Sequence, residues 1–226
     1  QRAEAIGYES VWTAEHVIIP KEYSSVYPYN PSGKVPFRPD SAIIDPLVAL
    51  TYVAASTKRM RLGTGVNILP QINALYLAKW ASSIDHLSKG RLMLGVGIGW
   101  LKEEFDAIGV PFAQRGKRAD EYMRALKQLW TGEEINFQGE FVTWQGFQMR
   151  PRPAQKGGVP LVVGGITPQA IRRLVRYGDG WYVIGKDLDD QELGIHRLLV
   201  NMRALRDKDV TTAMERFGEE VVTKYS

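Results

Sequence analysis

The chain contains no cysteine. Disulfides, thiolate metal sites and thiol nucleophiles are therefore excluded, while the redox compartment stays open. Histidine is scarce, with three in 226 residues. A zinc site would need carboxylate help, and neither HExxH nor a similar spacing occurs, so no metal is expected. No apolar run approaches the roughly 18–20 residues of a membrane span. No secretory or lipidation signal opens the chain. A cytoplasmic protein with no membrane partner is expected. Excess charge is also small, +4 with a pI of about 9.2. Basic residues are dispersed apart from Arg115–Lys117–Arg118 and Arg172–Arg173–Arg176. Such clusters suit a phosphorylated or polyanionic small molecule. No nucleic-acid partner is expected, because no binding motif accompanies the charge.

What is present reads as an ordinary soluble composition, 44% hydrophobic and 24% charged, with a length that suits one domain over residues 1–226. Glu9–Thr13 reads as a short strand ending at Glu15–His16. Val17 to Ile44 is an irregular excursion with prolines at 20, 28, 31, 36 and 39 and several tyrosines. It is far longer than the usual 2–6 residue connection. Asp45–Thr57 is a helix, with Asp45 as N-cap and Pro46 first. Arg61–Leu69 is a strand, Asn73–Leu87 a helix ended by Lys89–Gly90, and Leu92–Gly97 another strand. Arg118–Trp130 is an amphipathic helix whose Tyr122–Trp130 stripe faces the core. Ile135–Trp144 alternates as a hairpin turning at Gln138–Gly139. Leu161–Gly165, Thr167–Tyr177 with Pro168 at its start, and Gly180–Ile184 continue the alternation.

Short apolar strands alternating with helices define parallel β/α units. Five such strands are visible. A closed (β/α)₈ TIM barrel usually needs about 250 residues. The opening "QRAEAIGY" reads as a helix end, and "LRDKDVTTAMERFG" as if a strand were absent. The expectation is an α/β TIM barrel with segments missing from this sequence. After Lys186 the chain reads as helical and polar.

The stretch "RLMLGVGIGW" raises the question of ligand. A dinucleotide fingerprint needs GxGxxG with an acidic residue about 20 positions on. Here Gly95, Gly97 and Gly99 are spaced by two, and Arg115 or Lys117 stands where the acid belongs. The dinucleotide fold is rejected. Two readings of the glycines remain: tight strand-to-helix packing, or a strand mouth opened for a flat ring. In β/α barrels that mouth is where active sites form. Gly164–Gly165 lead into a helix beginning near Thr167, a plausible phosphate site of free N–H groups and a hydroxyl.

Four stretches carry a resemblance: "GYESVWTAEHVIIP", "RLGTGVNILPQINALYLAKWASSIDHLSKGRLMLGVGIGWLKEEFDAIGVPF", "RADEYMRALKQLW" and "VVGG…AIRRLVRYGDGW". In this order they resemble the luciferase-like monooxygenase superfamily, and within it the coenzyme F420 (deazaflavin)-dependent oxidoreductases. The resemblance implies a bacterial luciferase-like (β/α)₈ barrel with the cofactor across its C-terminal mouth. It implies catalytic roles for His16 and for Glu15, which stands where many relatives have aspartate and could hydrogen-bond the cofactor. It implies cofactor contacts at Thr64, Gly65 and Val66, with a non-prolyl cis peptide matching Gly65–Val66. Gly97, Gly99 and Trp100 match the fourth-strand site, and Gly164, Gly165, Ile166 and Thr167 the phosphate site. Sugar-phosphate dehydrogenases of the family have tryptophan where this chain has Pro20 and glutamate where it has Trp100. Those departures argue against glucose 6-phosphate oxidation. Nothing supports light emission.

The function implied is hydride transfer between F420 and a small organic substrate. The alternative is an FMN-dependent monooxygenase using oxygen; a further one is a non-catalytic deazaflavin- or flavin-binding protein. Each residue also has a plainer reading. His16 could be a structural histidine, Glu15 a surface carboxylate, and Trp100 a packing residue. Tyr23, Tyr27, Tyr29 and Phe37 could form a self-contained loop cluster or a lid over substrate. His86 is read as structural, His196 lies in the tail, and Arg115 and Arg118 are read as helix-surface charges. A homodimer is expected, with an apolar face on the first barrel helices.

Overall fold

The computed structural model of the chain describes residues 1–183. After a short opening helix α1 (Arg2–Ala5), the elements are β1 (Ser10–Thr13), α2 (Pro46–Ser56), β2 (Arg61–Thr64) and β3 (Asn67–Ile68). A 3-10 turn (Leu69–Gln71), α3 (Ala74–Ser88), β4 (Leu92–Gly97), α4 (Lys102–Ala107) and α5 (Arg115–Leu129) follow. The hairpin β5 (Ile135–Gln138) and β6 (Thr143–Phe147) precedes β7 (Leu161–Gly164), α6 (Pro168–Tyr177) and β8 (Gly180–Tyr182). The larger sheet runs β1-β2-β4-β7-β8 with β3 added against β4, and every pair in it is parallel. It is the curled sheet of a barrel-type α/β fold, a half-barrel among the described residues, with all strand carboxyl ends on one side.

Local chemistry sets the helix starts. The Asp45 carboxylate accepts from the amide of Val48 at 2.9 Å, and Pro46 takes the first position, where its missing N–H costs nothing. The Asn73 side chain accepts from Leu75 and Tyr76, and the Thr167 hydroxyl from Ala170. Lys89 closes α3 in the left-handed region at φ 60°. The core lies between sheet and helices. Leu62, Leu92, Leu94 and Leu161 meet Leu50, Leu77, Met123 and Leu126, all fully buried. The stripe from Tyr122 to Trp130 is core, and Trp130 Nε1 donates to the Ala78 carbonyl.

Three local expectations are revised. Arg61–Leu69 is not one strand: β2 ends at Thr64 and β3 begins at Asn67, with a cis Gly65–Val66 peptide between them. The hairpin does not turn at Gln138–Gly139. Its loop runs to Val142, because the buried Glu121 carboxylate gathers the amides of Glu140, Phe141 and Val142. Arg115 and Arg118 are not plain surface charges. Arg118 is buried and donates to the Pro111 carbonyl; half-buried Arg115 donates to the Gly99 carbonyl and stacks on Phe112. The six-residue helix α4 was not read from the sequence. His196 and the stretch beyond Lys186 lie outside the described residues.

Candidate active site

The expected residues converge at the carboxyl ends of the strands. Glu15 and His16 follow β1, and Gly65–Val66 separates β2 from β3. Gly97, Gly99 and Trp100 end or follow β4, Gly164 ends β7, and Gly165 to Thr167 follow it. His16 is held by a partner the sequence reading missed. Its Nδ1 lies 3.1 Å from Oε2 of Glu104, on α4. The other carboxylate oxygen accepts from the amides of Val17 at 2.7 Å and Ile18 at 3.3 Å, and Gln71 Nε2 donates to Oε2 at 3.3 Å. Burial would raise the Glu104 carboxyl, but the hydrogen bonds and charge of His16, with those of Gln71 and Ile18, outweigh it and hold the group below its ordinary value.

Glu15 points the other way in chemistry. Its Oε2 accepts from the Ile68 amide. Burial pushes its pKa up from 4.5 to about 8 against that bond, with Asp45 and Glu104 adding repulsion. Burial thus favours its protonated form, which can donate a hydrogen bond.

The Val17–Ile44 excursion folds back over this mouth. Its anchors are two adjacent carboxylates. Glu104 takes its first amides, while Glu103 accepts from the amide and hydroxyl of Ser24 at 2.7 and 2.9 Å and from the Ser25 hydroxyl at 2.6 Å. Trp100 meets His16, Tyr23 and Tyr27 edge-on, with ring centroids 6.1, 5.6 and 5.2 Å away. Phe37 also meets His16 edge-on, with ring centroids 6.2 Å apart, and Tyr27 packs against Tyr29. Between the limbs of the excursion lies a recess of about 280 Å³ lined by His16, Val17, Ile18, Ile19, Pro39, Ser41 and Ile43. No lysine or arginine is among those lining residues.

The glycines are occupied by the protein itself. A Cβ on Gly97 would lie 2.6 Å from Val66 Cγ2, and one on Gly164 would lie 2.9 Å from Val66 Cγ1. A Cβ on Gly99 would meet Phe105 at 2.6 Å and Ile68 at 2.7 Å. Thr64 is fully buried, and its hydroxyl donates to the Gly95 carbonyl at 2.7 Å. Gly65 donates its amide to Thr13 and lies against the Tyr182 hydroxyl. Gly165 is buried at φ +109° close to the Tyr29 hydroxyl, whereas Ile166 and Thr167 are exposed and the Thr167 hydroxyl caps α6. Three buried polar atoms near these strand ends have no hydrogen-bond partner among the described residues: Thr13 Oγ1, Asn67 Oδ1 and Gln71 Oε1. Among the described residues no acidic or histidine cluster could hold a metal, and no helix is long and apolar enough to cross a membrane.

Barrel-type strands, a cis peptide between β2 and β3 and a histidine at the mouth define a TIM-barrel-type fold of the luciferase-like kind. The luciferase-like monooxygenase family profile matches residues 1–214, and the chain belongs to that family. It is 36% identical over 206 residues to the uncharacterized protein Rv0940c of Mycobacterium tuberculosis, covering 91% of this chain and 69% of that protein. It is 33% identical to an F420-dependent glucose-6-phosphate dehydrogenase of Kineococcus radiotolerans, covering 83% of this chain and 52% of the enzyme. It is 30% identical to an FMNH(2)-dependent dimethylsulfone monooxygenase of Pseudomonas putida, covering 60% and 38%. The fold matches the crystal structure of the monooxygenase RslO1 from Streptomyces bottropensis with a TM-score of 0.69 at 24% identity, over 99% of this chain and 58% of that one. The family thus contains both F420- and FMN-dependent relatives.

Proposed function

We propose that the chain carries the site of an F420-dependent oxidoreductase that moves hydride between the deazaflavin and a small organic substrate. The carrying observation is His16, fixed on a buried carboxylate and flanked by the Phe37 and Trp100 rings, in a chain whose cis Gly65–Val66 peptide lies at another strand end. The residues present fit a flat heterocycle with an amide-like edge. Thr13 Oγ1, Asn67 Oδ1 and Gln71 Oε1 are buried without partners among the described residues, an arrangement that costs free energy unless something satisfies it. When bound, the deazaflavin would donate or accept hydride at a ring carbon. Thr64, Gly65, Val66, Gly97, Gly99 and Trp100 would form its ring cradle, Thr64 and the glycines by shaping backbone. Gly164, Gly165, Ile166 and Thr167 would take its phosphate at the start of α6.

The chain's own part is proton handling and water exclusion. His16 gives or takes a proton as hydride moves. Glu15 acts as a neutral hydrogen-bond donor. Trp100, Phe37 and the excursion shield the reacting face. Substrates are uncharged rather than phosphorylated: no lysine or arginine lines the recess, and Pro20 and Trp100 stand where the sugar-phosphate pattern differs. FMN-dependent monooxygenation is the second reading, supported by the Pseudomonas putida relative, whose match covers less of this chain. An anaerobic screen of uncharged alcohols, ketones and enones, read by F420 absorbance, separates the two. Protein-dependent absorbance change supports hydride transfer. No change, with protein-dependent oxygen uptake on reduced FMN, would move the protein to the second reading.

A homodimer is proposed through the outer faces of α2 and α3. Val48, Tyr52, Tyr76, Trp80 and Leu87 are exposed there, and Tyr76 stacks on Trp80. Sedimentation at micromolar concentration tests it, a monomer being the contrary result.

A further inference from the structure

Glu104 is 1% exposed and accepts from Gln71 Nε2 and the amides of Val17 and Ile18, while His16 Nδ1 lies 3.1 Å from its Oε2. An ionised carboxylate has acceptors only, so the ring nitrogen facing it must carry hydrogen. In a neutral imidazole the other nitrogen is then bare. His16 Nε2 makes no hydrogen bond among the described residues, and the ring lines the recess formed with Val17–Ile19, Pro39, Ser41 and Ile43. The sequence separation between ring and carboxylate is 88 residues, so only the fold brings them together.

We propose that Glu104 is a positioning residue: it fixes His16 in the Nδ1–H form, leaves Nε2 as the proton-accepting edge toward the recess, and ties ring and excursion to one anchor through the Val17 and Ile18 amides. The proposal rests on His16 as the proton-handling group. A carboxylate behind an imidazole sets its tautomer and orientation and stabilises the cation that forms on proton uptake. Gln71, bonded to the same oxygen, keeps the carboxylate from rotating away.

The test uses heteronuclear NMR of the imidazole nitrogens in histidine-labelled chain. The chain has three histidines, and His16→Gln assigns the signal. With the imidazole neutral, the wild type is expected to show Nδ1–H with a bare Nε2. In Glu104→Gln the amide oxygen still accepts from Val17 and Ile18, but the NH₂ group faces Nδ1, so the tautomer reverses to Nε2–H. Turnover on any substrate found should then fall by about 10³–10⁴-fold, with KM little changed. An Nε2–H ring in the wild type, or an unchanged tautomer in a folded Glu104→Gln variant, overturns the proposal. If that variant does not fold, the wild-type spectrum decides alone. The tautomer is read without cofactor, so failure of the F420 reading leaves this result separate.

Discussion

His16 and Glu15 sit one after the other at the end of β1, yet the fold gives them opposite environments. The sequence places both at a strand end, where barrel chemistry occurs. It does not disclose Glu104, because nothing in "LKEEF" sets one carboxylate apart from the other and the partners of Glu104 are remote in the chain. His16→Ala should lower turnover by about 10²–10⁴-fold, the usual worth of a positioned acid or base, while F420 affinity changes little. Steady-state rates set beside a binding titration check this, and equal turnover would remove the catalytic assignment. Glu15 has a pH consequence. Its pKa is raised from 4.5 to about 8, so the folded state binds its proton more tightly than the unfolded state. Its contribution to stability is therefore full below the lower value and is lost as pH rises through the upper one. Urea titrations below and above that window should show this fall, and Glu15→Gln, which keeps the acceptor for the Ile68 amide, should flatten it.

The strands and principal helices were legible because apolar periodicity and capping chemistry agree. Asp45, Asn73 and Thr167 each accept the amide hydrogen bonds their positions suggest. What escaped was set by tertiary partners: the break at Gly65–Val66, the wide hairpin loop around Glu121, and the inward turn of Arg115 and Arg118. The glycine ladder is the sharpest instance. The sequence allowed either a ligand or tight packing, and the space beside Gly97 is filled by Val66. Gly97→Ala should therefore destabilise the fold by about 1–3 kcal/mol, an overpacking cost. Adding Val66→Ala should recover much of that loss, giving a clear non-additivity in chemical denaturation. Simple additivity would mean that the contact does not govern the position.

The parallel sheet collects the consequences on one side of the molecule. Because every strand in it runs the same way, the ends of β1, β4, β7 and β8 and the β2–β3 break share a single mouth, and the aromatic excursion folds over it. The family resemblance in the sequence anticipated the barrel-type fold. It did not choose between cofactors, since both would present a flat ring to the same Thr13, Asn67 and Gln71 atoms, which have no partner among the described residues. The most direct measurement is a fluorescence-quench titration of the purified chain with coenzyme F420 and, separately, with FMN. The account predicts micromolar F420 binding and much weaker FMN binding. Tight FMN binding without F420 binding, or binding of neither, would contradict it.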